Sequence, residues 1–247
     1  MTLDRHRQDW DRLAETDALW AVLTKPGTKG GRWDVEEFFA TGEAEIAHVL
    51  TVAEPLGRPS RRAQALDFGC GVGRLTRALA GRFDEVVGVD LSPEMIEQAQ
   101  RHNGAYRTCE FRLNTDRDLR QFDSDSFDFV YSNIVLQHLR SVPEITGYLD
   151  ELIRITRSDG LVVFGLANRI PFPYSLQVRR RVYALLRRVG VSESWMLRRT
   201  SLTPMRMTWM PHDEVLQLLR DRGARLHEVE TAEDGVAPGR RYYDSPA

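Results

Sequence analysis

Cysteine is scarce in this chain, and the two present form no pattern. Cys70 sits in a glycine-rich turn and Cys109 in a stretch of strand character, with no CxxC and no Cys/His cluster. That excludes a disulfide framework or a zinc module as the source of stability, and it fits a reducing, cytoplasmic setting. Long apolar runs are missing too. No stretch approaches the ~18 residues that a membrane span needs, and the charged start, MTLDRHRQDW, lacks the apolar segment of a secretory signal. Charge of one sign is absent overall: the net charge of −2 argues against general affinity for nucleic acid. There are no internal repeats and no low-complexity tract.

What is present is an ordinary globular composition, 42% hydrophobic and 28% charged over 247 residues, enough chain to bury roughly three quarters of its unfolded surface without a staple. From Val35 an amphipathic helix carries Phe38, Phe39, Ile46, Val49 and Leu50 at helical spacing. Gly57, Pro59 and a Ser-Arg-Arg stretch break it. The sequence then alternates: AQALDF, EVVGVD, YRTCEFRL, FDFVYS and, after a turn at Asp159-Gly160, GLVVFGLA read as strands. GRLTRALAGRF, SPEMIEQAQRH (Ser92 as N-cap, Pro93 in the first turn) and VPEITGYLDELIRITR read as helices. Short apolar strands alternating with helices predict an α/β fold, a doubly wound and mostly parallel sheet. A helix, HDEVLQLLRDRG, and two strands, ARLHEVET and RRYYDS, joined by a Gly/Pro-containing loop, close the chain as an antiparallel pair.

The stretch LDFGCGVGR concentrates the chemistry. Ligands of doubly wound sheets sit beyond the strand C-termini, and a glycine turn there sets bare N–H groups against them. A nicotinamide fingerprint wants G-x-G-x-x-G; here Gly69, Gly71 and Gly73 are spaced G-x-G-x-G, and Arg74 stands where the last glycine belongs. Asp67 precedes the turn. Asp90 ends strand two, where a carboxylate can accept two ribose hydroxyls.

LDFGCGVGRLTRALA followed by VVGVDLSPEMIEQAQ resembles the class I S-adenosylmethionine-dependent methyltransferases, over about Ala63 to Ala167 and again in the final strand pair. The resemblance implies a seven-stranded sheet with one reversed strand. It also implies S-adenosylmethionine as cofactor and S-adenosylhomocysteine as product. Asp67 and the Gly69–Cys70–Gly71–Gly73 backbone would hold the methionine end, Asp90 the ribose, and Leu91 and Met95 the adenine faces. Asn114, Thr115 or Asp116 would reach the adenine amino group, and Ser132 would start the segment beside the methyl group. Leu91 and Met95 read equally well as plain core residues.

The segment after strand four, YSNIVLQHLRSV, lacks the Asp/Asn-Pro-Pro-aromatic run of enzymes that methylate DNA bases and the paired glutamates of arginine methyltransferases. It also lacks the magnesium-binding aspartates of catechol-type enzymes, so no metal is expected. His138 is the first candidate base and His212 the second, each with a structural alternative: His138 as a buried structural residue, His212 as a helix-start residue.

The expected division is a helical cap over 1–62, the cofactor core over 63–167, an insert over 168–208 and a completing unit over 209–247. The cap carries Trp10, Trp20 and Trp33, and Trp33 would wall the cofactor unless it merely packs a helix on the sheet. The insert holds nine arginines, no lysine and one acid, Glu193. Its charge is +8, leaving −10 for the rest, and part of it, PYSLQVRRRVYALLRRVGV, reads as a basic amphipathic helix. Three explanations stand: a phosphate or carboxylate site on the substrate, with Arg169, Tyr174 and Arg206 as contacts; docking on an anionic membrane; or a solvated face paired with acids of the same chain or a dimer mate. The expected activity is O-methylation of a soluble small molecule or saccharide. The alternatives are a membrane-associated, quinone-like acceptor and a non-catalytic S-adenosylmethionine-binding partner protein. No nucleic-acid partner is expected.

Overall fold

The computed structural model describes residues 3–172, 174–232 and 239–246. The strands are β1 Gln64–Phe68, β2 Glu85–Asp90, β3 Cys109–Leu113, β4 Phe127–Ser132, β5 Thr156–Ala167, β6 Arg225–Ala232 and β7 Gly239–Ser245. The helices are α1 Leu3–Val22, α2 Val35–Ala53, α3 Arg74–Ala80, α4 Pro93–Asn103, α5 Val142–Ile155, α6 Val178–Arg188, α7 Glu193–Arg199 and α8 His212–Asp221. One sheet takes all seven strands in the order β3-β2-β1-β4-β5-β7-β6. β1 to β5 pair in parallel, and β7 runs antiparallel between β5 and β6. This is the seven-stranded, one-reversed sheet of a class I methyltransferase fold. The β6–β7 connection, residues 233–238, and Pro173 of the insert lie outside the described residues.

Strand residues alternate between the two faces. Leu66, Val130, Val162 and Phe164 pack under α5 and α8. Ala65, Phe129, Tyr131 and Val163 pack under α2 and α3. Three helices begin at a capping side chain: Ser92 accepts from Met95 N–H at the start of α4, Asp34 from Glu37 N–H at the start of α2 and Ser192 from Trp195 N–H at the start of α7. One expectation is corrected. Asp159-Gly160 is no turn, because β5 already starts at Thr156 opposite Phe127, and a register shift between Phe127 and Phe129 absorbs the extra residues. Gly160 serves close approach there: a Cβ would lie 2.7 Å from the Asp128 carbonyl oxygen. The basic segment forms its helix over α6, after a short turn at Tyr174–Leu176, and α7 follows beyond it.

β7 also buries an anomaly. Asp244 is fully buried, and among the described residues neither carboxylate oxygen has a hydrogen-bond partner. Burial lifts its carboxyl to about 7. The folded chain therefore keeps a proton that the unfolded chain, with an aspartate pKa of ~3.9, releases. Stability from this site is full in acid and is lost as pH rises from about 4 towards 7. Asp244→Asn is expected to stabilise the protein by ~1–3 kcal/mol at pH 8 and hardly at pH 4.5. Thermal melts at both values check this; an equal shift at the two would refute it.

Candidate active site

The glycine turn between β1 and α3 lies at the C-terminal edge of the parallel strands. Gly69 N–H and Cys70 N–H both donate to the Val89 carbonyl (2.8 and 2.9 Å), which draws the turn against β2. Gly69 and Gly71 have φ of 76° and 52°. A Cβ at Gly69 would meet Val135 at 2.4 Å, and one at Gly71 would meet Val22 at 2.5 Å. Only bare backbone fits between these walls. Asp90, at the end of β2, accepts from Gly71 N–H through Oδ2 and from Ser92 N–H through Oδ1, both at 2.9 Å. Burial raises its pKa to about 6, while the Ser92, Gly71 and Leu91 amides pull it down.

These groups floor a narrow cleft with a cavity volume of about 70 Å³. Leu75, Leu91 and Met95 line it from the sheet side, and Asn133, Ile134, Val135, His138 and Leu139 from the segment after β4. His6, Trp10, Ala21 and Val22 line it from α1. Ile134 sits at φ 60°, a conformation that a β-branched residue adopts only under constraint.

Arg74 also reaches the cleft, and the structure explains why arginine replaces the packing glycine. Its guanidinium donates to Glu45 of α2 (2.8 Å), and Glu45 further accepts from Tyr131 Oη and Asn133 Nδ2, each at 2.7 Å. Burial pushes Glu45 up, but Arg74, the Tyr131 hydroxyl and Arg241 outweigh it and hold the carboxyl below its ordinary value. α2 also packs close against α3 at this point. A Cβ at Gly42 of α2 would meet the Arg74 carbonyl oxygen at 2.5 Å.

His138 Nδ1 lies 2.7 Å from the Arg206 carbonyl oxygen. A carbonyl only accepts, so Nδ1 donates and Nε2 is left as the acceptor. Trp10 meets the ring edge-on at 5.4 Å. Burial lowers the His138 pKa, and burial first, with Arg140 and His138 nearby, takes His6 down to about 4 against Glu144. Both imidazoles are neutral at neutral pH. Cys70, pushed well above the usual thiol range by burial, stays a thiol.

Of the residues expected from the sequence, the cleft gathers Gly69, Cys70, Gly71, Asp90, Leu91, Met95 and His138. Asp67 lies buried beneath the turn; Thr76 donates to its Oδ2 (2.7 Å), its Oδ1 has no partner, and burial raises it to about 7. Ser132 is likewise buried with an unpartnered hydroxyl. Gly73 is the N-cap of α3, its Cβ position filled by Asn103 and Phe111. Asn114 N–H holds the Asp90 carbonyl (2.8 Å) while its side chain accepts from Gln121; Thr115 and Asp116 are exposed. Trp33 packs on Phe38 and donates to the Leu23 carbonyl. His212 contacts the Tyr242 hydroxyl (3.0 Å) at the start of α8. Arg169 and Tyr174 are exposed outside the cleft, and Arg206 acts through its backbone. Sequence reasoning missed His6, Ala21 and Val22; the leader's helical spacing was their signal, and nothing local aimed it at the turn.

The donor set suits a ligand with a flat apolar part, a vicinal diol and an ammonium group. The buried Asp67 oxygen without a partner, two residues before Gly69 in the chain, is the acceptor that fits the last of these.

Residues 66–164 match a family described as methyltransferase domain. The chain is 25% identical over 178 residues to a ubiquinone biosynthesis O-methyltransferase of Xanthomonas axonopodis pv. citri (strain 306), covering 70% of this chain and 66% of that protein. It is 34% identical over 102 residues to a malonyl-[acyl-carrier protein] O-methyltransferase of Salmonella typhimurium, covering 41% and 38%. The chain thus spans two thirds or less of the length of these curated relatives. Magnesium protoporphyrin IX methyltransferase from Synechocystis PCC 6803, solved with bound SAH, superposes with a TM-score of 0.65 at 18% identity, over 99% of both chains.

Proposed function

We propose, from the match of residues 66–164 to a methyltransferase domain and from the fold, that the protein uses S-adenosylmethionine to O-methylate a hydroxyl of an apolar, quinone-like acceptor. The observation that carries the reading is the His138 imidazole, fixed by a hydrogen bond in a mostly apolar wall. His138 keeps Nε2 as an acceptor among Trp10, Ile134, Val135 and Leu139. That edge suits a hydroxyl proton on a molecule whose body is apolar.

When bound, S-adenosylmethionine supplies a methyl group on a positively charged sulfur, open to in-line attack. The chain's own residues do the rest. Asp90 would take the ribose hydroxyls, Leu91 and Met95 would flank the adenine, and the Gly69–Gly71 backbone with Asp67 would hold the methionine end. Glu45 fixes Arg74 and Asn133, and so the edges of the turn and of the segment after β4. His138 would accept the hydroxyl proton, while Trp10, Ala21 and Val22 exclude water from above. Positioning of this kind supplies roughly 7–11 kcal/mol of a barrier.

The sequence put a soluble or saccharide acceptor first. The cleft supports the alternative: the guanidinium that lines it is already paired to Glu45, and the lining is mostly apolar. The ubiquinone O-methyltransferases among the relatives point the same way. The test incubates the protein with methyl-labelled S-adenosylmethionine and three acceptor sets: tailed hydroxyquinols, hydroxy acids and saccharides. Label in the quinols is expected. Label in saccharides or acids alone refutes the acceptor class, and cofactor affinity with no label in any fraction favours a non-catalytic binder.

A further inference from the structure

The insert leaves an unusual surface. Eight of the twelve large hydrophobic side chains exposed among the described residues lie within 168–208, the same segment that carries nine arginines and one acid. On α6 and the residue after it, Val178, Val182, Leu185 and Val189 are 54, 37, 61 and 69% exposed. At ~100° per residue these four fall in one stripe, roughly 60° wide, along the helix. Buried Tyr183 and the ion-paired Arg187 lie on the opposite side, where the helix meets α1 and Glu193. Arg179 flanks the stripe on one side, and Arg181 and Arg188 on the other, all three exposed.

α6 therefore shows solvent an apolar strip bordered by cations, while its opposite side is already used for packing. We propose that α6 lies flat on an anionic lipid bilayer, with the stripe among the acyl chains and the flanking arginines at the headgroups. Arginine stems reach sideways along such a strip and keep their charge in the polar layer. Charge complementarity selects the occupant. A second copy on a two-fold axis would set these arginines against their own equivalents, and a neutral protein surface would leave them unpaired. Among the described residues no helix is long and apolar enough to cross a membrane, so the contact is peripheral. The insert also carries the Arg206 carbonyl that holds His138.

Vesicle flotation of the full chain tests this, with phosphatidylcholine alone and with about 30% phosphatidylglycerol added. Partition at least ~10-fold higher into the anionic vesicles is expected. It should weaken in high salt and fall by ~10-fold or more in V182E/L185E and, separately, in R181E/R188E. Equal partition into both vesicles, no partition, or unchanged binding of both variants overturns the proposal. So does a wild-type dimer, seen by light scattering, that V182E/L185E splits while vesicles stay unbound. The readout needs neither acceptor nor methyl transfer, so failure of the acceptor assignment and failure of docking are separate results.

Discussion

Asp90→Ala is expected to weaken S-adenosylmethionine binding by ~10²–10⁴-fold. Two hydrogen bonds from ribose hydroxyls to a carboxylate are each worth ~1.5–3 kcal/mol. The substitution also frees the Gly71 and Ser92 amides that Asp90 now holds, loosening the turn itself. Asp90→Asn keeps the shape and one acceptor, and should fall between wild type and Asp90→Ala. The pH dependence has a definite sign. With its pKa raised to about 6, Asp90 is an ionised acceptor above that value and gains a proton below it, so wild-type affinity should decline as pH falls from 7 to 5. Titration calorimetry at pH 8 and pH 5 reads both effects. Affinity of the alanine variant within about threefold of wild type would remove Asp90 from the ribose site, provided thermal melts show both proteins folded.

The second large effect belongs to His138. His138→Ala should lower kcat by ~10²–10⁴-fold, the usual worth of a positioned base, while cofactor affinity stays near wild type. His138→Gln preserves the donor to the Arg206 carbonyl without a basic acceptor, and should be as slow. Burial lowers the imidazole pKa, so the acid limb of the wild-type rate profile should fall below pH 6.5, the model imidazole value. In that limb Nε2 takes a proton from solvent and can no longer accept one from a hydroxyl. Both variants should lose the limb. A variant that keeps the wild-type rate, or keeps the limb, would assign the proton to another group.

The parallel sheet was legible because its strands are short apolar runs, and β2 and β4 begin and end where their residues change character. The cofactor turn was legible because glycine spacing, Asp67 and Asp90 are local to one β-α-β unit. β5 was misread at its start because Gly160 looks like a turn residue, and only the β4 register shows that it makes room for the Asp128 carbonyl. Arg74 announced that the dinucleotide packing was absent, but Gly42, which packs close against it, lies 32 residues earlier in the chain. The leader and the insert were recognisable by composition. That they pack together follows from Arg12 and Tyr183 converging on Glu193 and from Arg187 on Asp9, pairings that no local pattern encodes.

Those last pairings set a timescale. The cleft's floor is woven into β1, β2 and β4, whose amides are shared along parallel ladders. Its lining from α1 rests against α6 and α7 through one side of an apolar cluster and a handful of carboxylate–guanidinium contacts centred on Glu193. Contacts of the second kind fade with ionic strength, and ladders do not. Amide protons of α1 and α6 will therefore exchange through openings that leave the sheet closed.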